Sequence, residues 1–153
     1  WQRIDMLALC ADAVHGAGAA NSNRSVTLLV GTTDLPPTVI GDAAGLRQVL
    51  ANLIDDALRR HTPVGTPVEV RLSTSRQPGG ETGVLRLEVA DNGPGMTPAA
   101  AVRAFDDADR LGLPIAVAIV EAHDGQIDID TQPGHGSCFR VLLPVADQPA
   151  TRR

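Results

Sequence analysis

The run Val84-Leu85-Arg86-Leu87-Glu88-Val89-Ala90-Asp91-Asn92-Gly93-Pro94-Gly95-Met96 decides how this chain is read. Its first half sets Val84, Leu85, Leu87 and Val89 against Arg86 and Glu88, the pattern of a strand with one face in a core, and it stops abruptly at Asp91 and two glycines. Glycine at 93 and 95 lets the backbone take positive φ or approach a ligand closely, and a carboxylate at a strand end can accept hydrogen bonds from an amino group held in a pocket. Asp-Asn-Gly is also common in turns, so these residues are equally compatible with a hairpin in which Asp91 is a solvated cap. The choice between a site and a turn falls to the rest of the chain.

A chain of 153 residues, 43% hydrophobic, has the size of one domain with its own core, expected over residues 1–146 with a flexible tail over 147–153. Trp1, Phe105 and Phe139 are its only aromatics, so the core must come from Leu, Val, Ile and Ala. A net charge of -5 argues against a general nucleic-acid surface, since the only basic runs are Arg59-Arg60 and Arg152-Arg153. Cys10 and Cys138 have no metal-ligand spacing and read as buried free thiols, which fits a reducing compartment. No apolar run approaches the roughly 20 residues that span a bilayer, and no signal peptide opens the chain. The expectation is a soluble, cytoplasmic unit without membrane contact of its own, which is also compatible with the soluble part of a membrane-anchored protein because the chain opens on Trp1 rather than Met.

In chain order, an Ala-rich amphipathic stretch predicts a helix over about 4–15, ended by His15-Gly16-Ala17-Gly18. Ser25 to Val30 reads as a strand, Asp34 to Pro37 as a turn, and Thr38 to Gly41 as a short edge strand limited by Pro36-Pro37. Asp42 caps a helix over 43–60, whose Leu46, Val49, Leu50, Leu53, Ile54, Ala57 and Leu58 form one apolar face. Asn52 and Asp56, four apart, project from a common face, either toward a ligand or simply toward water. Val68–Thr74 and Val84–Ala90 read as a hairpin around Gln77-Pro78-Gly79-Gly80. Thr97-Pro98 starts a helix through Phe105, Asp106–Arg110 interrupts it, and Leu111–Ala122 reads as a buried helix, apolar nearly all round. Gln126–Thr131 and Cys138–Val145 close the chain as a second hairpin. Strands paired as hairpins give a mainly antiparallel sheet, and helices gathered on one face give an α+β two-layer sandwich.

In this order the chain resembles the ATP-binding catalytic domain of bacterial two-component sensor histidine kinases, part of the Bergerat-fold ATPases shared with gyrase, Hsp90 and MutL. Asn52-Leu53-Ile54-Asp55-Asp56-Ala57-Leu58-Arg59 with His61-Thr62-Pro63 is similar to the family's N box, and Asp91-Asn92-Gly93-Pro94-Gly95-Met96 to its first glycine box. Phe105 resembles the F-box aromatic, Leu111-Gly112-Leu113 and its helix the second glycine box, and Gly134-His135-Gly136-Ser137 the last. Four motifs in register carry far more weight than one.

The resemblance implies a mixed, mostly antiparallel sheet and a site for ATP and Mg²⁺. Asp91 would bind the exocyclic amine of adenine, Gly93, Gly95 and Met96 would lie against the base, and Ser137 would complete that network. Asn52 would contact phosphates, Asp56 stands where the family has the Asn that ligates Mg²⁺, and Arg59 stands at the basic position. Gly112 and Leu113, at a helix N-terminus, would offer backbone N–H groups to phosphate oxygens. The implied partners are a histidine-containing dimerisation or phosphotransfer domain, in cis or in trans, and a response regulator. None of His15, His61, His123 and His135 has the context of a phosphoacceptor, so each reads as a surface or structural histidine.

The sequence departs from the family at three points. Asp56 adds a negative charge where the family has an amide, and Arg59-Arg60-His61 holds one residue more than the usual spacing. Arg110 runs straight into Leu111-Gly112-Leu113, without most of the ATP lid and leading glycines. These departures motivate a second reading, a degenerate nucleotide-binding or docking module that acts through a partner kinase. A serine-directed member of the superfamily, such as an anti-sigma-factor kinase, is a third.

Overall fold

The computed structural model describes residues 1–20, 25–60, 67–77, 82–105 and 112–146, and for residues 18–20 the backbone only. The expectations for the tail, the His61-Thr62-Pro63 segment, the shortened lid and Leu111 lie outside the described residues.

The chain opens with strand β1 (Gln2–Asp5) and helix α1 (Met6–Ala20). The apolar pattern alone predicts this helix from Ile4 to about His15. Asp5 corrects the start: its Oδ1 accepts the backbone N–H groups of Leu7 at 3.0 Å and Ala8 at 3.2 Å, which makes it the helix cap. Ile4 is therefore freed to pair as a strand residue. At the other end, Gly16 lies within the helix, which runs on to Ala20.

β2 (Val26–Thr33) and β3 (Thr38–Gly41) follow, and they do not form the expected hairpin. β3 pairs antiparallel with β1, Ile4 opposite Val39, in a separate small sheet. β2 lies parallel to β4 (Val68–Arg76), Leu28 opposite Val70. The Pro36-Pro37 turn leads the chain away from β2 to meet β1, and Met6 N–H donates to Pro37 O at 2.8 Å across that junction.

Helix α2 (Ala43–Arg60) carries the predicted apolar face, with Leu46, Val49, Leu50, Leu53, Ile54, Ala57 and Leu58 all buried. β4 and β5 (Gly83–Asp91) form the predicted hairpin, and α3 (Pro98–Ala104) starts at Thr97, whose hydroxyl accepts the Ala100 N–H at 3.2 Å. Helix α4 (Gly112–Ala122) was expected to be buried nearly all round. It buries only the stripe Leu113, Ala116 and Val120, and leaves Ile115 48% exposed. β6 (Gln126–Thr131) and β7 (Ser137–Pro144) complete a five-stranded sheet in the order β2-β4-β5-β7-β6, antiparallel except at β2.

The two-residue period of these strands places the site. Leu85, Leu87 and Val89 of β5 are buried toward the helices, and continuing the alternation carries Asp91 onto the same face. On β7, Val141 and Phe139 lead in the same way to Ser137, and on β6 Ile127 and Ile129 lead to Thr131. The opposite face, without helices, is charged: Arg71 bonds Glu69 at 2.7 Å, and Arg140 reaches Glu88 at 3.1 Å and Asp128 at 3.3 Å.

Candidate functional site

Asp91 is the last residue of β5, only 6% exposed, and stands opposite Ser137 of β7. Its Oδ1 accepts the Gly93 N–H at 2.8 Å, which turns the chain tightly back and fixes the carboxylate before any ligand arrives. Ser137 in turn stands opposite Thr131 of β6, so three polar side chains end three adjacent strands in one row.

Thr131 ties this row to the glycine-bearing loops. Its Oγ1 accepts the Met96 N–H at 2.9 Å, donates to Gly136 O at 2.9 Å, and lies 2.9 Å from Ser137 Oγ. One hydroxyl hydrogen and two lone pairs account for all three contacts if Ser137 donates to Thr131. The sequence reading did not single out Thr131. The available signal was its position at a strand end six residues before Ser137, which becomes meaningful only once the β6–β7 register is known.

The glycines are needed for close approach. A Cβ on Gly93 would strike the carbonyl oxygen of Arg60, at the C-terminus of α2, and one on Gly95 would strike Gln132 O. Gly95 and Gly136 hold φ of +71° and +75°, the left-handed region that side chains resist. Gly134 N–H donates to Pro94 O at 2.7 Å, so the first and last glycine segments are bonded to each other. A polar hollow of about 410 Å³ adjoins this end of the sheet, walled by Asp91, Thr131 and Ser137 and also by Arg71, Asp130 and Cys138 of the helix-free face.

The α2 residues form a second group. Asn52 Nδ2 donates to Gly112 O at 3.0 Å and its Oδ1 accepts from Gln48 at 2.7 Å, which joins α2 to the first residue of α4. A Cβ on Gly112 would come within 3.1 Å of the Asn52 side chain. One turn on, Asp56 is 7% exposed with its Oδ2 3.6 Å from Arg60 Nε. Arg59 points elsewhere, bonded to Asp55 at 2.5 Å in an exposed i,i+4 pair. Arg60, not Arg59, is the cation beside Asp56. Leu113 is buried, so only its backbone is available to a ligand, and buried Met96 packs into the core. The site residues thus fall into two clusters, Asp91–Met96 with Ser137, and Asn52 with Gly112 and Asp56, joined where Gly93 packs on Arg60.

His123 and the two cysteines lie outside this group of residues. His123 is buried: its Nδ1–H donates to Ile119 O at 2.7 Å and Nε2 accepts the Asp42 N–H at 3.0 Å, a neutral ring pinned between α4 and the start of α2. Burial pushes the Cys10 thiol up to about 12, with Asp5 adding to it, and the Cys138 thiol up to about 11, with Glu88 adding to it. Both cysteines are free, Cys10 buried and Cys138 half-buried. Among the described residues no group of His, Cys, Asp and Glu forms a metal cluster, and no helix is long and apolar enough to cross a membrane.

A two-layer sandwich with an acidic strand end cradled by glycines is the pattern of the histidine kinase-, DNA gyrase B-, and HSP90-like ATPases, and the family model matches residues 41–147. The chain belongs to that family. Within it the similarity is to sensor histidine kinases. The probable sensor histidine kinase TcrY of Mycobacterium tuberculosis (strain ATCC 25618 / H37Rv) is 40% identical over 93% of this chain and 30% of its own length. The adaptive-response sensory kinase SasA of Thermosynechococcus vestitus (strain NIES-2133 / IAM M-273 / BP-1) is 34% identical over 94% of this chain and 39% of its own length. The mycobacterial sensor histidine kinase MprB has the same fold, with a TM-score of 0.74 at 27% identity over 94% of this chain and 96% of that one. Full-length ShkA in complex with AMPPNP gives 0.74 at 27% identity, over 98% of this chain and 32% of that one. The chain thus corresponds to the ATP-binding catalytic domain of sensor histidine kinases and spans about a third of the length of these curated relatives.

Proposed function

We propose that residues 1–146 form one domain that binds Mg·ATP and presents the γ-phosphate to a histidine on another domain or chain, from which a response regulator receives it. The observation that carries this reading is the buried, preorganised Asp91 carboxylate in register with Ser137 and Thr131 beneath two positive-φ glycines. An adenine amine is the complementary donor for such a carboxylate, and in this reading the Gly93–Met96 loop would border the base.

Asn52, Asp56, Gly112 and Leu113 lie on the phosphate side of this reading. Asp56 is a buried hard oxygen donor suited to Mg²⁺, which commonly takes one or two carboxylates and completes its shell with phosphate oxygens and water. Mg²⁺ would supply charge neutralisation at the phosphates. Arg60 beside Asp56 offsets the extra negative charge that Asp introduces there, and it takes over part of the role that the sequence reading gave to Arg59. The N-terminus of α4 adds oriented N–H groups. Catalysis by this chain is then positioning and charge neutralisation, with no covalent intermediate on it.

The ShkA neighbour was solved with AMPPNP, which supports a nucleotide as the ligand here. Nothing in the matches favours the degenerate reading. We place the domain in the cytoplasm, where ATP and a response regulator are available. Calorimetric titration with ATP, with and without Mg²⁺, followed by transfer of the γ-phosphate to an isolated histidine phosphotransfer domain, tests the proposal. Saturable, Mg²⁺-dependent binding is expected, and no heat at millimolar ATP would overturn it.

A further inference from the structure

We propose that the free edge of β2 is a self-association edge, at which two copies of this chain join their sheets antiparallel about a two-fold axis. The sheet has two edges, β2 and β6, and they differ in kind. β6 is guarded: its outward residues are Asp128 and Asp130, and a second copy set against it would bring like charges together. β2 reads Val-Thr-Leu-Leu-Val-Gly-Thr-Thr, with no charge and no proline across Val26–Thr33, in a chain whose net charge is -5. Among the described residues no strand pairs with its outer side, and Leu29 and Val30 are 44% and 48% exposed. Natural sheets blunt such edges with charge, proline or a covering strand, and among the described residues β2 has none of these over its regular part.

A second copy fits this edge on charge and on face. Pairing with β4 is regular from Val26 to Val30 and shifts register between Val30 and Thr33, so the regular stretch is Val26–Val30. Val26, Leu28 and Val30 stand beside Val68, Val70 and Leu72 and so face the core side, while Thr27 and Leu29 face the opposite way. Antiparallel pairing about Leu28 sets Val26 against the partner's Val30 and Thr27 against the partner's Leu29. Every side chain then meets one on its own face, and no charge meets a like charge. Five paired residues are well short of the roughly 20–30 residues a side of a standard interface, so the dimer is weak. The two-fold axis closes it: the remaining free edges are both β6, which repel each other.

Sedimentation velocity on the full chain from micromolar to millimolar concentration tests this. The expected result is a concentration-dependent shift to dimer and no further, abolished in Leu29→Lys, with the melting temperature of that variant unchanged. Amides of β2 that do not bond β4 should gain exchange protection as concentration rises, a readout on the wild type that does not depend on the variant folding. A wild type that stays monomeric to millimolar overturns the proposal. So does dimerisation unaffected by Leu29→Lys, or growth beyond the dimer, which would indicate head-to-tail pairing of β2 with β6.

Discussion

Replacing Thr131 by Val keeps the shape of the side chain and removes the hydroxyl that holds the site together. The change leaves the Met96 N–H and the Gly136 carbonyl without their partner, and Ser137 Oγ without its 2.9 Å neighbour. A buried polar group left unsatisfied costs about 1–3 kcal/mol, and because Thr131 is only half-buried, water can replace part of the loss, which puts the expected total at about 1–2 kcal/mol. For a domain of this size that corresponds to a fall in Tm of roughly 2–8 °C. The strand itself should be unaffected, since Val is a strong strand former. Thermal unfolding followed by circular dichroism gives the first readout, and amide exchange at Met96 gives the local one. Thr131→Ser, which retains the hydroxyl, should recover most of the loss. If Thr131→Val melts with the wild type and Met96 exchange does not change, then Thr131 is not the tie described, and the preorganisation of the Asp91 loop must come from elsewhere.

Two glycines with similar φ separate strain from close packing. Gly134 holds φ +82° with nothing within 4 Å of a Cβ, so Gly134→Ala should cost only the left-handed backbone term, about 1 kcal/mol. Gly136 holds φ +75° and a Cβ there would strike Asp91 O, so Gly136→Ala should cost about 2 kcal/mol or more and also weaken nucleotide binding. Equal losses in denaturant unfolding would contradict the packing of Gly136 on Asp91. At alkaline pH the thiols alone should govern stability, because the chain has no Lys and no Tyr. Both thiols are raised in the folded state, so their contribution is complete below about pH 9 and is lost as pH climbs toward about 11 for Cys138 and about 12 for Cys10. For buried Cys10 the slope approaches about 1.4 kcal/mol per pH unit, with a smaller share from the more exposed Cys138. Guanidinium unfolding at pH 9 and 10.5 should show this decline, and Cys10→Ala should flatten most of it; an unchanged slope would rule Cys10 out as its source.

Much of this arrangement was legible in the sequence, for identifiable reasons. Alternation in β5 and the apolar face of α2 are local signals, and they placed Asp91 at a strand end and Asn52 and Asp56 on one helix face. Strand partners are not local. Ser25 to Gly41 suggested a hairpin, yet β3 pairs with β1 and β2 lies parallel to β4, because pairing is settled by packing of distant segments. The cap at Asp5 is hidden in the sequence because the Ala-rich helical pattern extends smoothly past it. Thr131 stayed invisible until the β6–β7 register set it opposite Ser137. The family resemblance points to Arg59 as the cation, whereas Arg60, one turn from Asp56, is the one that stands beside it.

Nucleotide selection in this reading rests on recognition of the amino edge of adenine by the Asp91 carboxylate. Calorimetric titration of the wild type and Asp91→Asn with ATP and with GTP tests it most directly, with folding checked by Tm. The wild type should bind ATP and reject GTP, which lacks that amine, and Asp91→Asn should lose ATP binding while remaining folded. Equal affinity of wild type and Asp91→Asn for ATP, or equal affinity of the wild type for both nucleotides, would contradict it.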